Sequence, residues 1–214
     1  AVTLTALVVV ATFGLARAGV YPEAVTLFRK VFYQIISGHT TTGWSTMYAR
    51  AFVTQWGPVG LIATTIAMMI GASASSTAGG IKGIRVGIIF KALAQDIRRM
   101  VSPESAVLRS RYHHIRDIAL SDRLVRTALT ITLAYLLMYG AMSLVGTAYG
   151  YPFLEASFEG VSAAANTGLS CGVTSPAMPA VMKALYIVAM WLGRMEFMSV
   201  FALVAYAVSV VRGR

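Results

Sequence analysis

Long apolar segments dominate this chain and constrain its fold more than any other feature. A helix needs about 20 mostly apolar residues to cross the hydrocarbon core of a bilayer. The sequence predicts such spans over 53–72, 124–146 and 182–211, and residues 1–16 have the composition of the end of another. With 57% apolar and 12% charged residues, against roughly 45–50% and about 25% in soluble domains, the chain fits neither a soluble globule nor a disordered segment. We therefore expect an all-α membrane protein.

Positive charge is concentrated between the spans predicted over 53–72 and 124–146. The net charge is +10, and the ten lysines and arginines of residues 82–126 face four acidic residues there, which leaves +6. Lysine and arginine near span ends favour the cytoplasmic side, so we expect residues 82–126 and the C-terminus in the cytoplasm, in a multi-pass plasma (inner) membrane protein. A nucleic-acid-binding protein is also basic but is not this apolar, so we expect no nucleic-acid partner. The single cysteine, Cys171, excludes a disulfide framework.

The chain contains an internal repeat. Segments 22–45 and 152–172 each lie between two spans, and each is too short and too mixed in composition to cross a membrane. A shift of 125 residues aligns them at five identical pairs: Phe28 with Phe153, Ser37 with Ser162, Thr42 with Thr167, Gly43 with Gly168, and Ser45 with Ser170. The repeated unit is therefore a span, a short helix, a Thr-Gly turn and a second span, and it occurs twice.

The two Thr-Gly turns are candidate cation sites. A short helix that enters the membrane and turns back puts irregular backbone at membrane depth, which is tolerated where that backbone lines a cavity or is buried in protein. Carbonyl groups there can replace the water shell of a cation, as in selectivity filters, and the negative C-terminal end of the short helix favours a cation. The predicted filter residues are Thr41, Thr42, Gly43 and Trp44, and Asn166, Thr167, Gly168 and Leu169. The alternative is that both turns are packed for shape alone.

A run of small residues directly follows the span predicted over 53–72. From Gly71 to Gly83 every residue before Ile81 is small, a composition that breaks a helix and allows a mobile loop. If the run lies under the filter, it obstructs the pore and opens it by moving. A flexible linker at the membrane surface is the alternative.

Two charged residues lie in the middle of the last apolar segment. A charge at membrane depth is costly and faces a partner or water by default. Arg194 and Glu196 are two residues apart, so they do not share a helix face. The small-residue run is a candidate partner of Arg194, because it follows Gly71 as Arg194 follows Gly193. A structural arginine that caps loop carbonyls is the alternative.

Together these residues resemble the Trk/Ktr/HKT superfamily of potassium transporters, in which four span–pore-helix–span repeats each give one filter segment around a central pore. Thr41–Trp44 resembles the third filter segment, and Asn166–Leu169 the fourth. The Ser-Ser-Thr-Ala-Gly-Gly-Ile-Lys string that ends at Lys82, with Arg85, resembles the family's gating loop, and Leu192–Glu196 resembles the motif of its last span. The resemblance implies a gate made of Gly71, Ser75, Ser76, Thr77, Gly79, Gly80, Lys82, Arg194 and Glu196.

The resemblance also implies what the chain carries and what surrounds it. Residues 1–81 are expected to form the third repeat, 82–123 a helical extension with a basic cytoplasmic linker, and 124–214 the fourth repeat. Potassium is then the transported ion, held by the backbone carbonyls of Thr42, Gly43, Thr167 and Gly168, and no cofactor is bound. The implied partners are an N-terminal half with two further repeats, a second copy in a homodimer, TrkA/KtrA-like nucleotide-binding regulatory subunits in the cytoplasm, and the lipid bilayer.

Other functions fit the sequence less well, and some alternatives stay open. The Gly168–Gly172 segment matches the GxSxG pattern of serine hydrolases, but no histidine follows position 114 to complete a triad, so we expect no enzymatic activity. His113 and His114 are adjacent and suit a solvated basic segment better than a metal site. The open alternatives are a sodium-permeable relative, the membrane subunit of a potassium-pumping ATPase, and a structural domain that transports nothing; channel-like flux and coupled symport are not distinguished.

Overall fold

The described part of the chain is a bundle of helices of very different lengths. The computed structural model describes residues 2–71, 76, 78–103 and 120–213 in full, and the backbone of 111–114 and 116–119. Its α-helices are α1 (Val2–Arg17), α2 (Ala24–His39), α3 (Ala49–Ala51), α4 (Gly57–Met69), α5 (Gly83–Val101), α6 (Asp122–Ala148), α7 (Phe153–Ala164) and α8 (Ala180–Val211). A π-helical turn over Phe52–Trp56 joins α3 to α4.

Three helical stretches of the described chain have the length and composition of membrane spans. They cover Ala49–Met69, Asp122–Ala148 and Ala180–Val211, with 21, 27 and 32 residues. Helix α1 is apolar but shorter, with 16 residues. These helices lie where the hydropathy of the sequence predicts spans, and the expectation of an all-α membrane protein is confirmed.

The internal repeat of the sequence is present in the fold. Helices α1, α2 and α4 form one unit, and α6, α7 and α8 form the other: in each, the middle helix ends in the Thr-Gly turn. Helix α7 is the more central of the two short helices, because it contacts α4 of the other unit as well as α6 and α8. The side chain of Phe158 on α7 is 1% exposed and packs against Phe52, with ring centroids 5.3 Å apart.

The last span is interrupted, although the sequence predicts one apolar segment over 182–211. Within α8, Glu196 has φ 57° and ψ 143°, which is outside the helical region. A residue other than glycine with positive φ is strained and persists only where its surroundings hold it. The interruption falls at a charged residue whose side chain is held by two basic residues of another element, as described below.

A short parallel strand pair closes the connection between α4 and α5. Strand β1 (Ile70–Gly71) pairs with β2 (Ile81–Lys82), with Ile70 opposite Ile81 and Gly71 opposite Lys82. The chain therefore leaves the end of α4 and returns to the same place before α5 begins. Further along the linker, β3 (Arg111–His114) and β4 (Arg116–Ala119) form an antiparallel hairpin, an element that the sequence analysis did not predict.

Candidate functional site: two paired turns and the segment behind them

The two Thr-Gly turns have the same backbone conformation. In the first, Thr41 has φ 53° and Gly43 has φ 79°; in the second, Asn166 has φ 56° and Gly168 has φ 85°. The threonine between each pair does not have a positive φ. Residues with and without a positive φ therefore alternate along each turn. Such alternation brings successive carbonyl groups toward one side of the chain, which is the arrangement that coordinates a cation by backbone oxygen.

The same hydrogen bonds anchor both turns to the helices that precede them. The Ser37 hydroxyl donates to the carbonyl of Trp44, and the Ser162 hydroxyl donates to the carbonyl of Leu169, each at 2.6 Å. The carbonyls of these serines accept from the backbone N–H groups of Thr42 at 3.0 Å and Thr167 at 2.9 Å. Each serine thus connects the end of the helix that carries it, α2 or α7, to both sides of the turn.

The two turns lie against each other. A methyl group at the Cα of Gly43 would overlap the carbonyl oxygen of Thr167, so this oxygen is in direct contact with the Gly43 backbone. The structure therefore brings the predicted filter residues of the two repeats together. Their flanking residues differ: Trp44 is 69% exposed, whereas its equivalent Leu169 is 3% exposed. The second turn is set in the core, and the first lies at the edge of the described part of the chain.

Two polar residues behind the turns were missed by the sequence analysis. Gln34 and Glu159 are related by the same shift of 125 residues, and they are 1% and 3% exposed. The Gln34 Oε1 atom accepts from the Ser45 hydroxyl at 3.3 Å, and the Glu159 Oε1 atom accepts from the Ser170 hydroxyl at 2.5 Å. The available signal was a polar residue at the same position of both short apolar helices, where a polar side chain needs a buried partner.

Gly79 lies directly against the start of the second turn. A methyl group at Gly79 would lie 2.6 Å from the carbonyl oxygen of Ala165, the residue that ends α7. A methyl group at Gly193 would overlap the carbonyl oxygen of Ala164. Glycines at these two positions therefore let the backbone at Gly79 and helix α8 approach the C-terminal end of α7.

Further hydrogen bonds connect the second turn to the neighbouring helices. The Asn166 side-chain amide donates to the carbonyl of Met190 at 3.1 Å, and the Tyr135 hydroxyl donates to the carbonyl of Gly193 at 3.0 Å. Among the predicted gate residues, Gly71, Gly79, Gly80 and Lys82 lie together below this turn, whereas Ser75 and Thr77 are outside the described residues.

A three-residue ionic cluster joins the break in α8 to the start of α5. The Glu196 carboxylate contacts the Lys82 ammonium group at 2.5 Å through Oε1, and the Arg85 guanidinium group through Oε2. The Lys82 and Arg85 side chains are only 10% and 14% exposed. The sequence analysis predicted Lys82 and Glu196 as gate residues, but it sought a partner only for Arg194. Arg194 is exposed in the structure, and Arg85, which was left out of the predicted gate, binds Glu196.

Helix ends and backbone carbonyl groups determine the electrostatics around the two turns. Both short helices, α2 and α7, direct their C-terminal ends at the turns, and a helix C-terminus carries partial negative charge. Among the residues described, no group of three or more His, Cys, Asp or Glu side chains has the spacing of a metal site. The turns themselves offer backbone carbonyl oxygens as ligands for a cation.

Comparison with known proteins decides the family of this chain. The sequence model of the TrkH family, described as cation transport protein, matches residues 1–209. The chain belongs to the TrkH family of cation transport proteins. This TrkH-family chain is 34% identical over 173 residues to an uncharacterised cation transporter of Methanocaldococcus jannaschii, covering 81% of the chain and 35% of that protein. It is 28% identical over 200 residues to the Trk system potassium uptake protein TrkH of Salmonella typhimurium, covering 92% of the chain and 40% of that protein.

A solved structure has the same fold. The crystal structure of the potassium transporter TrkH from Vibrio parahaemolyticus superposes with a TM-score of 0.77 at 25% sequence identity, and the match covers 94% of this chain and 42% of that one. The TrkH-family chain described here thus spans well under half the length of these relatives. The resemblance predicted from the sequence motifs is confirmed, and the chain is part of a multi-pass membrane protein of this family.

Proposed function

We propose that this TrkH-family chain forms one part of the pathway by which a transporter takes up potassium ions across the plasma membrane. The observation that carries the proposal is the pairing of the two turns, in which Gly43 lies against the carbonyl oxygen of Thr167. Two segments with the same alternating backbone conformation, each at the C-terminal end of a short helix, provide adjacent carbonyl ligands. Potassium is proposed as the ion because the relatives include a potassium uptake protein and a potassium transporter.

In this proposal the ion passes between backbone carbonyls, and no bond is made or broken. The carbonyls of Thr42, Gly43, Thr167 and Gly168 replace part of the water shell of the ion. Residues 41–44 and 166–169 supply two of the four filter segments expected around the pore. The N-terminal half of the whole protein supplies the other two, so we expect selective conduction from the whole protein and none from this chain alone.

The segment between Gly71 and Lys82 is proposed as the gate. Its support is the contact of Gly79 with the C-terminal end of α7, directly beneath the second turn. The Glu196 cluster fixes the end of the segment, because Lys82 is both the last residue of β2 and a partner of the carboxylate. Arg194, next to Gly193 in the same region, is proposed to act with this gate.

The positions of the charges suggest an orientation and partners for the whole protein. We propose that residues 82–126 and the C-terminus lie in the cytoplasm, and the support is their basic residues, which the positive-inside rule associates with that side. We propose a homodimer whose cytoplasmic face contacts nucleotide-binding regulatory subunits. The division into a third repeat over 1–81, a linker over 82–123 and a fourth repeat over 124–214 follows the two structural units.

The filter proposal is tested by Gly168→Ala in the whole protein, reconstituted in liposomes. Gly168 has φ 85° and nothing within 4 Å of an added methyl group, so the substitution acts through backbone strain of about 1–2 kcal/mol. We expect the ratio of potassium to sodium influx to fall about tenfold, since about 1.4 kcal/mol corresponds to that factor.

A matched control for this substitution exists in the same repeat. Gly150 has φ 88° and also has nothing within 4 Å, but it lies in the connection between α6 and α7, away from both turns. Gly150→Ala imposes the same kind of strain and is expected to leave the influx ratio unchanged. Equal ratios for both variants and the wild type would refute the filter, and a wild-type protein that prefers sodium would identify a sodium-permeable relative.

The gate proposal is tested by deleting two small residues within 73–79. A shorter segment obstructs the pathway less, so we expect potassium flux to rise at a constant amount of folded protein. Deleting two residues within 104–110 of the linker is the control. Flux at the wild-type level after the first deletion would show that the segment is no obstruction.

A further inference from the structure

We infer that Glu159 is a positioning residue that fixes the outer end of the second filter segment and thereby contributes to ion selectivity. This inference rests on the proposed function and names a residue that the filter motif itself does not contain. Glu159 is 3% exposed, lies on α7 two turns before the filter, and directs its carboxylate at residues 170–174.

The carboxylate collects an unusual number of donors. Its Oε1 atom accepts from four successive backbone N–H groups, those of Cys171 at 3.0 Å, Gly172 at 3.2 Å, Val173 at 3.2 Å and Thr174 at 3.3 Å. The Ser170 hydroxyl donates to the same oxygen at 2.5 Å, and the Thr174 hydroxyl donates to Oε2 at 2.9 Å. A carboxylate offers acceptors only, which matches this set of donors.

No cation neutralises this carboxylate within the described part of the chain, where the ion pairs involve other acidic residues. A buried charge is stable when hydrogen bonds replace its hydration, and six N–H and O–H donors do so here, together with the Cys171 thiol at 3.8 Å. Hydrogen bonds to a charged acceptor are about twice as strong as those between neutral groups. The carboxylate therefore holds the segment after the filter more firmly than a neutral side chain would.

The alignment of these N–H groups also orients the carbonyls. In a trans peptide unit the N–H and C=O groups point in opposite directions. When the N–H groups of 171–174 point at Glu159, the carbonyls of 170–173 point away from it, and so away from α7. These carbonyls directly continue the Thr167-Gly168-Leu169 segment toward its outer end, so their direction bears on any ion that enters or leaves the filter.

The first repeat provides an internal comparison. At the equivalent position, Gln34 Oε1 accepts from the Ser45 hydroxyl at 3.3 Å and from the backbone N–H of Thr46 at 3.5 Å. The Gln34 amide thus accepts two long hydrogen bonds, whereas the Glu159 carboxylate accepts six from N–H and O–H groups. The segment after the first turn is also exposed, as the 69% exposure of Trp44 indicates. The two filter segments are thus held with different strength, and Glu159 accounts for the firmer one.

The test is Glu159→Gln in the whole protein, which gives the second repeat the side chain of the first. The amide keeps the shape of the carboxylate but removes its charge and one acceptor. We expect the folded yield to be retained and the potassium-to-sodium influx ratio to fall about tenfold, because charge-assisted hydrogen bonds become neutral ones. The control is Glu155→Gln one helical turn earlier, whose carboxylate pairs with the exposed Arg50 at 3.7 Å and whose ratio is expected to stay within about twofold of wild type.

The outcomes separate this inference from the filter proposal. If Gly168→Ala lowers the influx ratio and Glu159→Gln, folded and in equal amount, does not, Glu159 has a packing role only and the inference is wrong. If neither substitution changes the ratio, the filter proposal fails first. Should Glu159→Gln not fold, Thr174→Val removes the hydrogen bond to Oε2 alone; we then expect a loss of about threefold in the ratio, and a wild-type ratio overturns the inference.

Discussion

Replacing Glu196 by glutamine is expected to release the proposed gate by leaving two buried basic side chains without their shared anion. The substitution keeps the size of the side chain and removes its charge. Lys82 and Arg85, 10% and 14% exposed, then lose their contacts with the carboxylate. Because Lys82 ends the strand pair that closes the small-residue segment, the segment loses its attachment to the break in α8.

The structure sets the size of this effect. Removing one partner of a buried ion pair costs about 3–5 kcal/mol. The Glu196 side chain is 29% exposed, and access of water lowers the loss to about 2–3 kcal/mol. At about 1.4 kcal/mol for each factor of ten, the balance between the closed and released positions of the segment changes by about 30- to 140-fold.

The assay is rubidium influx into liposomes that contain the whole protein, together with its thermal unfolding in detergent. We expect Glu196→Gln to increase influx and to lower the unfolding temperature. Adding Lys82→Met removes one of the uncompensated charges, so the double variant should be more stable than the sum of the two single effects. Asp96→Asn is the control, because its contact with Arg99 at 3.8 Å joins side chains that are 60% and 57% exposed.

The reasoning would be refuted if folded Glu196→Gln protein showed the influx and unfolding temperature of the wild type. It would also be refuted if Asp96→Asn changed both quantities as much, since an exposed pair contributes about 0–1 kcal/mol. Either result would mean that the cluster does not hold the segment in place.

Three other substitutions, one of them with a control, test the packing around the second turn and the role of Arg194. Gly193→Ala forces a methyl group onto the Ala164 carbonyl and is expected to lower the free energy of unfolding by about 1–3 kcal/mol. The control is Gly140→Ala, which has nothing within 4 Å of the added methyl group and is expected to leave that free energy unchanged or to raise it. Chemical denaturation measures both. Tyr135→Phe removes the 3.0 Å hydrogen bond to the Gly193 carbonyl and should cost about 1 kcal/mol in the same assay, and an unchanged value would show that this bond contributes nothing. Arg194→Ala should change influx regulated by nucleotide, and normal regulation would leave that arginine a structural role.

The spans and the repeat could be predicted because the spans depend on local hydropathy and the repeat on identical residues at a constant spacing. Hydropathy over about 20 residues identifies a segment that can cross a bilayer, and the structure has helices over Ala49–Met69, Asp122–Ala148 and Ala180–Val211. The shift of 125 residues placed Gly43 opposite Gly168, and the two glycines have φ 79° and 85°. A glycine after a short apolar helix is itself a sign of such a conformation.

The sequence did not reveal how the second turn is held. Thr41 and Asn166 also adopt positive φ; asparagine is enriched in this conformation, but a threonine gives no indication of it. Glu159 is one of two acidic residues in the apolar helix α7, and its six N–H and O–H donors come from residues 170–174. The effect of such a charge on stability can be assigned only when its partners are known, because a buried carboxylate destabilises the fold when it is alone and stabilises it when it is hydrogen-bonded.

What the sequence by itself determined is the membrane character, the twofold repeat and the family, because each depends on residues close together in the chain or on a constant spacing. The tertiary structure decided which charges meet. Glu196 pairs with Arg85, which is 111 residues away, and the last span breaks at the residue that makes this contact. Contacts between distant residues depend on how the helices pack, and an apolar surface shared by every span does not specify that packing.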